Sequence, residues 1–232
     1  MNNSPLITVY TQVYNTKESD LRTCIESVLN QTYQNIEYFI LDNGGTDGSC
    51  AILKEYAKKD SRIKLYRFEQ NKAGWRYVEI SDKISGAYWT CLDSDDWMEP
   101  DYLECLLNFT LENDLDIAVC GTMFHVEETG QTVPRACEED FVLNRSDYAQ
   151  QFMYYHVFFR ATWAKLIKSD IAKHDCQLRK EILYGGDTAL CFEWLRLTKK
   201  IGVTSKVLHH YRVHPSSLSY RYDSLRFAAD LA

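Results

Sequence analysis

The stretch CLDSDDWMEPD, residues 91–101, ends an apolar run, Ala87–Leu92, in Asp93, Asp95 and Asp96. Like charges this close repel one another, and removing carboxylates from water is costly. A positive partner is therefore expected at this point. Carboxylate oxygens suit hard cations, and Mg²⁺ takes one or two carboxylates together with substrate phosphates. One reading is a cation that bridges Asp95 to a diphosphate. Another is a solvated acidic turn that caps a helix opening at Pro100. Asp93, Asp95 and Glu104 also fall at positions 1, 3 and 12 of an EF-hand loop, but Trp97 and Met98 stand where that loop needs a ligand and Gly. An aspartyl nucleophile at Asp93 would want Ser or Thr and Lys around it, and Asp96-Trp97 follows instead.

Outward from this stretch, the first half alternates strand and helix. Ile7–Tyr14 is rich in β-branched and aromatic residues and reads as a buried strand. Leu21, Ile25, Val28 and Leu29 recur at helical spacing up to about Gln31. Ile36–Leu41 is a second strand that ends at Asp42-Asn43-Gly44-Gly45. Thr46 or Asp47 caps the next helix, which carries Ile52, Leu53 and Tyr56. Ile63–Phe68 is a third strand, Tyr77–Ser85 a helix and Ala87–Leu92 a fourth strand. This rhythm predicts an α/β fold, a Rossmann-like, mostly parallel central sheet flanked by helices. In such sheets ligands bind beyond the carboxyl ends of the strands, and Gln12–Asn15, Asp42–Gly45 and Asp93–Asp96 all fall there.

The second half is less regular. A helix is expected from Pro100–Asp101 to Asn113, a strand over Ile117–Phe124 and a turn at Glu128–Gln131. Residues 135–145 read as loop, Ser146–Tyr155 and Thr188–Lys199 as helices, Val207–Val213 as a final short strand and Asp223–Ala232 as a helix. The expectation is one domain over residues 1–232, with residues 1–97 and 98–232 as its two halves.

Composition narrows the classes. The 232 residues are 45% hydrophobic and 25% charged, as in an ordinary globular chain. A net charge of −7 argues against broad binding to nucleic acid. The eight cysteines are scattered, with no Cys-x-x-Cys pair, so a zinc site is not expected. No run approaches ~18 apolar residues, so no transmembrane segment is expected. With no signal peptide in Met1–Pro5, the expected location is cytoplasmic, with peripheral membrane association left open.

Six segments occur in the order seen in family 2 glycosyltransferases: ITVYTQVYN (7–15), SVLNQTYQNIEYFILDNGGTDGS (27–49), LDSDDWMEPDYLE (92–104), WAKLIKSD (163–170), GGDTALCFEWL (185–195) and YRVHPSSLS (211–219). The chain resembles that family along nearly its whole length. The resemblance implies a GT-A fold and transfer of a sugar, with inversion, from a nucleotide diphosphate sugar. Its donor-binding positions map onto Gln12, Tyr14, Asn15, Asp42, Asn43, Arg76, Asp93, Ser94 and Arg212. In the family the loop after the first strand holds uracil, which fits Tyr14 as a stacking ring, and the residue matching Asn43 bonds the base edge. Three positions depart from the family pattern. Gln12 stands where Pro is usual, Asn43 where Asp is usual, and Gly186 replaces the Glu of a Gly-Glu-Asp triplet. The stretch Asn71–Tyr77 also departs, and Arg76 takes the place of a usual Arg.

The resemblance further implies that Asp95, with Asp93, binds the metal, Mn²⁺ or Mg²⁺, with His214 assisting or binding it. The cation would stabilise the diphosphate as a leaving group. Asp187 matches the general base. From the residues alone it reads equally as a helix N-cap. Trp163 matches a position beside the acceptor, or is simply core. The expected partners are a UDP-sugar and a saccharide or lipid-linked glycan acceptor, in surface polysaccharide or glycan assembly. Two other classes stay open: a non-catalytic nucleotide-sugar-binding module and a metal-dependent phosphohydrolase. Family members often continue beyond the equivalent of Ser219, so a truncated catalytic domain is also an expectation.

Overall fold

The computed structural model describes residues 4–72, 76–174 and 185–214. The chain opens with β1 (Ile7–Val13), α1 (Glu18–Leu29), β2 (Ile36–Asp42), α2 (Ser49–Lys59), β3 (Ile63–Arg67) and β4 (Tyr88–Cys91). β1 pairs in parallel with β2 from Ile7–Ile36 to Val13–Asp42, and with β4 from Ile7–Tyr88 to Tyr10–Cys91. β3 extends the parallel set on the far side of β2. Because the register is in step, Val13, Asp42 and Cys91 bring their following loops to one edge of the sheet.

After the acidic turn come β5 (Trp97–Met98), α3 (Tyr102–Asn113), β6 (Ile117–Val126), β7 (Gln131–Arg135), β8 (Phe141–Asn144), α4 (Tyr148–Tyr155), β9 (Lys165–Lys168), α5 (Ser169–Ala172), α6 (Gly186–Leu197) and β10 (Lys200–Val213). The main path of the described sheet runs β3-β2-β1-β4-β9-β6-β10-β5, with β7 beside β6 and β8 beside β10. The parallel core is as expected, and β6 with β10 adds a second parallel pair. β9 lies antiparallel between β4 and β6, and β5, β7 and β8 are antiparallel additions. The result is a mixed sheet with a parallel core, in line with the α/β expectation.

The sheet's faces follow from side-chain alternation. Ile7, Val9 and Val13 of β1 pack with Leu21, Ile25 and Val28 of α1 and with Leu103, Leu106 and Leu107 of α3. Tyr10, Phe39, Leu41 and Trp89 face the other way, onto Phe159, Trp194 and Leu195.

Three expectations give way here. The helix predicted over Tyr77–Ser85 is two 3₁₀ turns, Tyr77–Glu79 and Ser81–Lys83. Tyr77, Ile80 and Ile84 have helical spacing because they bury against the sheet, where Tyr77 meets Tyr10 and Trp89 edge-on. Buried Glu37 then takes the Ser85 and Gly86 N–H groups and ends the turn. Residues 135–145 hold β8 and the end of β7, whose polar side chains suit strands at the rim of a sheet. β10 begins at Lys200 rather than Val207, because a register shift between Val203 and Val207 hides its alternation. The expected helix over Asp223–Ala232 lies outside the described residues. No described helix is long and apolar enough to cross a membrane.

Candidate active site

The three strand exits that the sequence singled out are tied to one another by side-chain hydrogen bonds. Asn15 leaves β1 with φ of 49°, and its Oδ1 accepts the Thr46 N–H at 2.8 Å. The Thr16 and Ser94 hydroxyls share a 2.6 Å bond, joining the β1 exit to the acidic turn. Asp42 is buried at the β2 exit. Its Oδ1 accepts the Gly45 N–H at 3.2 Å, while its Oδ2 lies 3.5 Å from Arg67 Nε. Gly44 has φ of +77°, and a Cβ there would come within 2.7 Å of the Gln70 carbonyl carbon. Only glycine lets these two loops approach so closely. Tyr14 stands 45% exposed above the β1 exit, free to stack on a planar ring.

Asn43 and Arg76, expected among the donor-binding residues, bond to each other and to neighbouring backbone. Asn43 Nδ2 donates to Asn71 Oδ1 and the Lys72 carbonyl, and its Oδ1 accepts Arg76 Nε at 2.7 Å and the Lys72 N–H. The buried carboxamide is thus fully engaged inside the protein. Arg76 donates to the Gln70 carbonyl and to Glu79, and it lies 4.1 Å over the Phe68 ring. Gln12 Oε1 accepts the Arg76 backbone N–H at 2.9 Å and the Tyr10 hydroxyl at 2.8 Å. In this arrangement Gln12, Asn43 and Arg76 tie residues 70–72 and Arg76 to the β1 and β2 exits.

The acidic turn is gripped by the end of β10. The Arg212 backbone N–H donates to Asp96 Oδ1 at 2.8 Å, and Arg212 Nε donates to the Asp95 carbonyl at 2.6 Å. The guanidinium also lies 4.5 Å over the Trp97 ring. Arg212 therefore shapes the turn. His214 Nε2 lies 3.0 Å from Asp95 Oδ2, with both side chains partly exposed. Asp96 is buried, and its Oδ2 has no hydrogen-bond partner. It faces His209 Nε2 at 4.0 Å. Burial pushes the Asp96 carboxyl well up and the His209 imidazole down to about 3, so the imidazole is uncharged at neutral pH. Asp96 supports the turn through the Arg212 backbone N–H.

Asp93 is exposed at the start of the turn. Desolvation of its carboxyl, then Asp95 and Asp187, push it up to about 7. The same three charges make the site favourable for a cation. Asp95 Oδ2 and His214 Nε2 lie together, and the Asp95 charge reaches Asp93. Among the described residues, no three His, Cys, Asp or Glu side chains form a ready-made metal cage. The donor set fits a hard cation that completes its shell with oxygens of a ligand.

Asp187 lies in the first turn of α6, not at its cap. Gly185, with φ of +77°, takes the cap position, a conformation suited to glycine. The helix dipole favours the ionised carboxylate there. The Asp187 charge is felt at Asp93 and at Cys91, the last residue of β4. Asp187 and the acidic turn, 91 residues apart in the chain at their nearest, Asp96, therefore belong to one site. Thr188 Oγ1 donates to the Arg160 carbonyl at 2.8 Å, linking the start of α6 to the loop 160–164.

Several participants were missed from sequence. Trp97 stacks on His210 with ring centres 4.7 Å apart, and His210 bonds both His125 and Glu99. This column anchors β5 to β10 and so the acidic turn to the sheet. Half-buried Trp163 stacks on His209 at 4.7 Å and contacts Tyr211 and Phe124. Apart from the match of Trp163, nothing local in the sequence signals these contacts, which arise between distant strands.

The family model Glycosyl transferase family 2 matches residues 8–175, and the chain belongs to that family. It is 32% identical over 232 residues to EpsH of Bacillus subtilis (strain 168), covering 99% of this chain and 67% of that protein. To the glycosyltransferase GlyA of Streptococcus pneumoniae serotype 4 (strain ATCC BAA-334 / TIGR4) it is 35% identical, covering 92% of this chain and 31% of that one. The chain thus spans about two thirds of one relative and under a third of the other. Among solved structures, S. aureus TarS 1–349 in complex with UDP-GlcNAc superposes with a TM-score of 0.77 at 18% identity, over 94% of this chain and 62% of TarS 1–349. The complex of the same protein with UDP gives 0.74 at 18% identity, over 90% and 61%. These structures share the GT-A fold.

Proposed function

We propose that this chain is an inverting, cation-dependent glycosyltransferase that moves a sugar from a UDP-sugar to a hydroxyl of a saccharide or lipid-linked glycan, in surface polysaccharide or glycan assembly. The observation that carries this reading is the convergence of Asp187 with the Asp93–Asp96 turn at the mouth of the tied strand exits. A base and a leaving-group site then face each other across one cleft, as a single displacement requires.

In this mechanism Tyr14 and the loops at Asn15, Asp42–Gly45 and 70–72 receive the nucleoside. Asp95 with His214, and Asp93 beside them, would hold Mn²⁺ or Mg²⁺ on the diphosphate. When bound, the cation supplies Lewis-acid stabilisation of the departing diphosphate. Asp187 accepts the proton of the acceptor hydroxyl as the new O–C bond forms at the anomeric carbon and the bond to the diphosphate breaks.

The test is calorimetric binding of UDP with and without Mn²⁺, for wild type and Asp95→Ala. Binding that needs Mn²⁺ and weakens at least about ten-fold in the variant supports the cation site. Binding indifferent to both would end that part of the proposal. Release of UDP from a donor sugar in the presence of acceptor separates an enzyme from a binding module.

A further inference from the structure

The strongest unassigned feature is a cationic floor on the acceptor side of the cleft. Arg135, at the end of β7, lies with its guanidinium carbon 4.4 Å over Phe124 and 5.9 Å over Trp163. Its hydrogen bond within the described residues is a long one, 3.4 Å to the Val157 carbonyl. Arg160 is exposed, and no described carboxylate lies within ion-pair distance of either arginine. The two are close enough for the Arg160 charge, after burial, to lower the pKa of Arg135. Lys165, fully buried behind them, gives its ammonium to the Ala161 and Trp163 carbonyls.

Uncompensated arginines are unexpected in a chain with 33 acidic and 26 basic residues. Holding like charges together without a counter-ion costs free energy, which an anion arriving from solution would recover. The void beside Arg135, lined by Thr122, Phe158, Ala161 and Trp163, is no larger than a water, so an anion would meet the arginines from the exposed Arg160 side. The loop from Arg160 ends at Ala164, a non-glycine residue held at φ of 58°, a strained conformation of the kind found at ligand sites. The Arg160 carbonyl accepts the Thr188 hydroxyl, next to Asp187.

From this we infer that Arg135 and Arg160 form an anion subsite beside Trp163, so that the acceptor is a saccharide bearing a carboxylate or phosphate group. The inference rests on the reading that Asp187 marks the acceptor side. Arginine suits this task because its planar donors match either anion in a bidentate fashion.

The experiment is a protein-observed NMR titration at constant ionic strength with methyl glucoside, methyl glucuronide and glucose 6-phosphate, on UDP-loaded and UDP-free protein. The expected result is that at least one charged probe binds ten-fold or more tightly than the neutral glucoside. The stronger of the two distinguishes carboxylate from phosphate. Arg160→Gln, at an exposed position, weakens that probe at least three-fold with an unchanged melting temperature, and adding Arg135→Gln abolishes the preference. UDP affinity, titrated separately, stays within two-fold in both variants. Equal affinity for all three probes, no binding of any, or a preference that survives the double variant overturns the anion subsite. If UDP fails to bind wild type, the donor reading falls, while the UDP-free arm still decides this one.

Discussion

The two sides of the cleft are held in place by different means. On the side formed by β1, β2 and β4, short polar side chains bind the backbone of neighbouring loops. Asn15 holds Thr46, Asp42 holds Gly45, Asn43 holds Lys72 and Gln12 holds Arg76. On the side formed by β6, β9 and β10, rings do the positioning. Trp163 lies on His209 and Trp97 on His210, with Phe124 and Tyr211 packed beside them. Directional hydrogen bonds determine where backbone N–H groups stand, which suits recognition of a nucleotide that varies little. Ring packing sets a surface but leaves nearby charges uncommitted, which suits a side that must meet a particular acceptor. The contrast is one of loops fixed by hydrogen bonds against a side shaped by packed rings.

The sharpest way to probe that contrast is at its boundary. Asp187→Asn keeps the shape of α6 and removes the base, so kcat should fall by ~100-fold or more with UDP affinity unchanged. Near-wild-type turnover in a donor and acceptor assay would remove Asp187 from that role. Next in size is Arg76→Ala. It strips a buried guanidinium from Asn43, Gln70 and Glu79 and should cost about 2–4 kcal/mol in a urea melt, with a raised donor KM. A KM effect with no loss of stability would mean that Arg76 meets the donor directly rather than through its loop.

The cleft floor makes a pH prediction of opposite sign to the usual carboxylate case. The Asp93 carboxyl titrates near 7 in the folded chain and near 3.9 unfolded, so the folded chain binds the extra proton between those values. Without cation, this group makes the protein less stable as pH rises from about 4 to 7. Mn²⁺ should therefore raise the melting temperature more at pH 8 than at pH 5, and an equal gain at both would separate Asp93 from the cation site. The smallest effect is expected at the opposite end of the sheet. Burial tends to raise the Glu37 pKa, but bonds from Thr8, Ser85 and Gly86 outweigh it and hold the pKa below its ordinary value. Its contribution is present above the ordinary Glu range and is lost as pH falls through the depressed folded value. Glu37→Gln should cost about 1–2 kcal/mol at pH 7 and progressively less in acid, as read from denaturant melts across pH.

The parallel half was legible in the sequence because its signals are local. Val13, Asp42 and Leu92 each end an apolar run at a polar loop, and parallel pairing then brings those loops to one edge. The 3₁₀ turns at Tyr77–Lys83 misled because helical spacing records which residues are buried, not the backbone that buries them. The late start of β10 was hidden by its bulge. Asn43 illustrates the limit for a single residue. Its type shows that it can donate and accept, but only the fold shows that Asn71, Lys72 and Arg76 use every one of those bonds.

By itself, the sequence determined that Asp93, Asp95 and Asp96 close a strand in an α/β sheet and so belong at a ligand-binding edge. Strand periodicity and the cost of crowding like charges are properties of neighbouring residues. Only the tertiary structure decided that the Asp187 charge reaches Asp93, that His214 meets Asp95, and that Arg135 lies over Phe124 near Arg160. Those facts depend on how β6, β9, β10 and α6 pack across the sheet. Electrostatic interactions act over ångströms of space, whatever the separation along the chain.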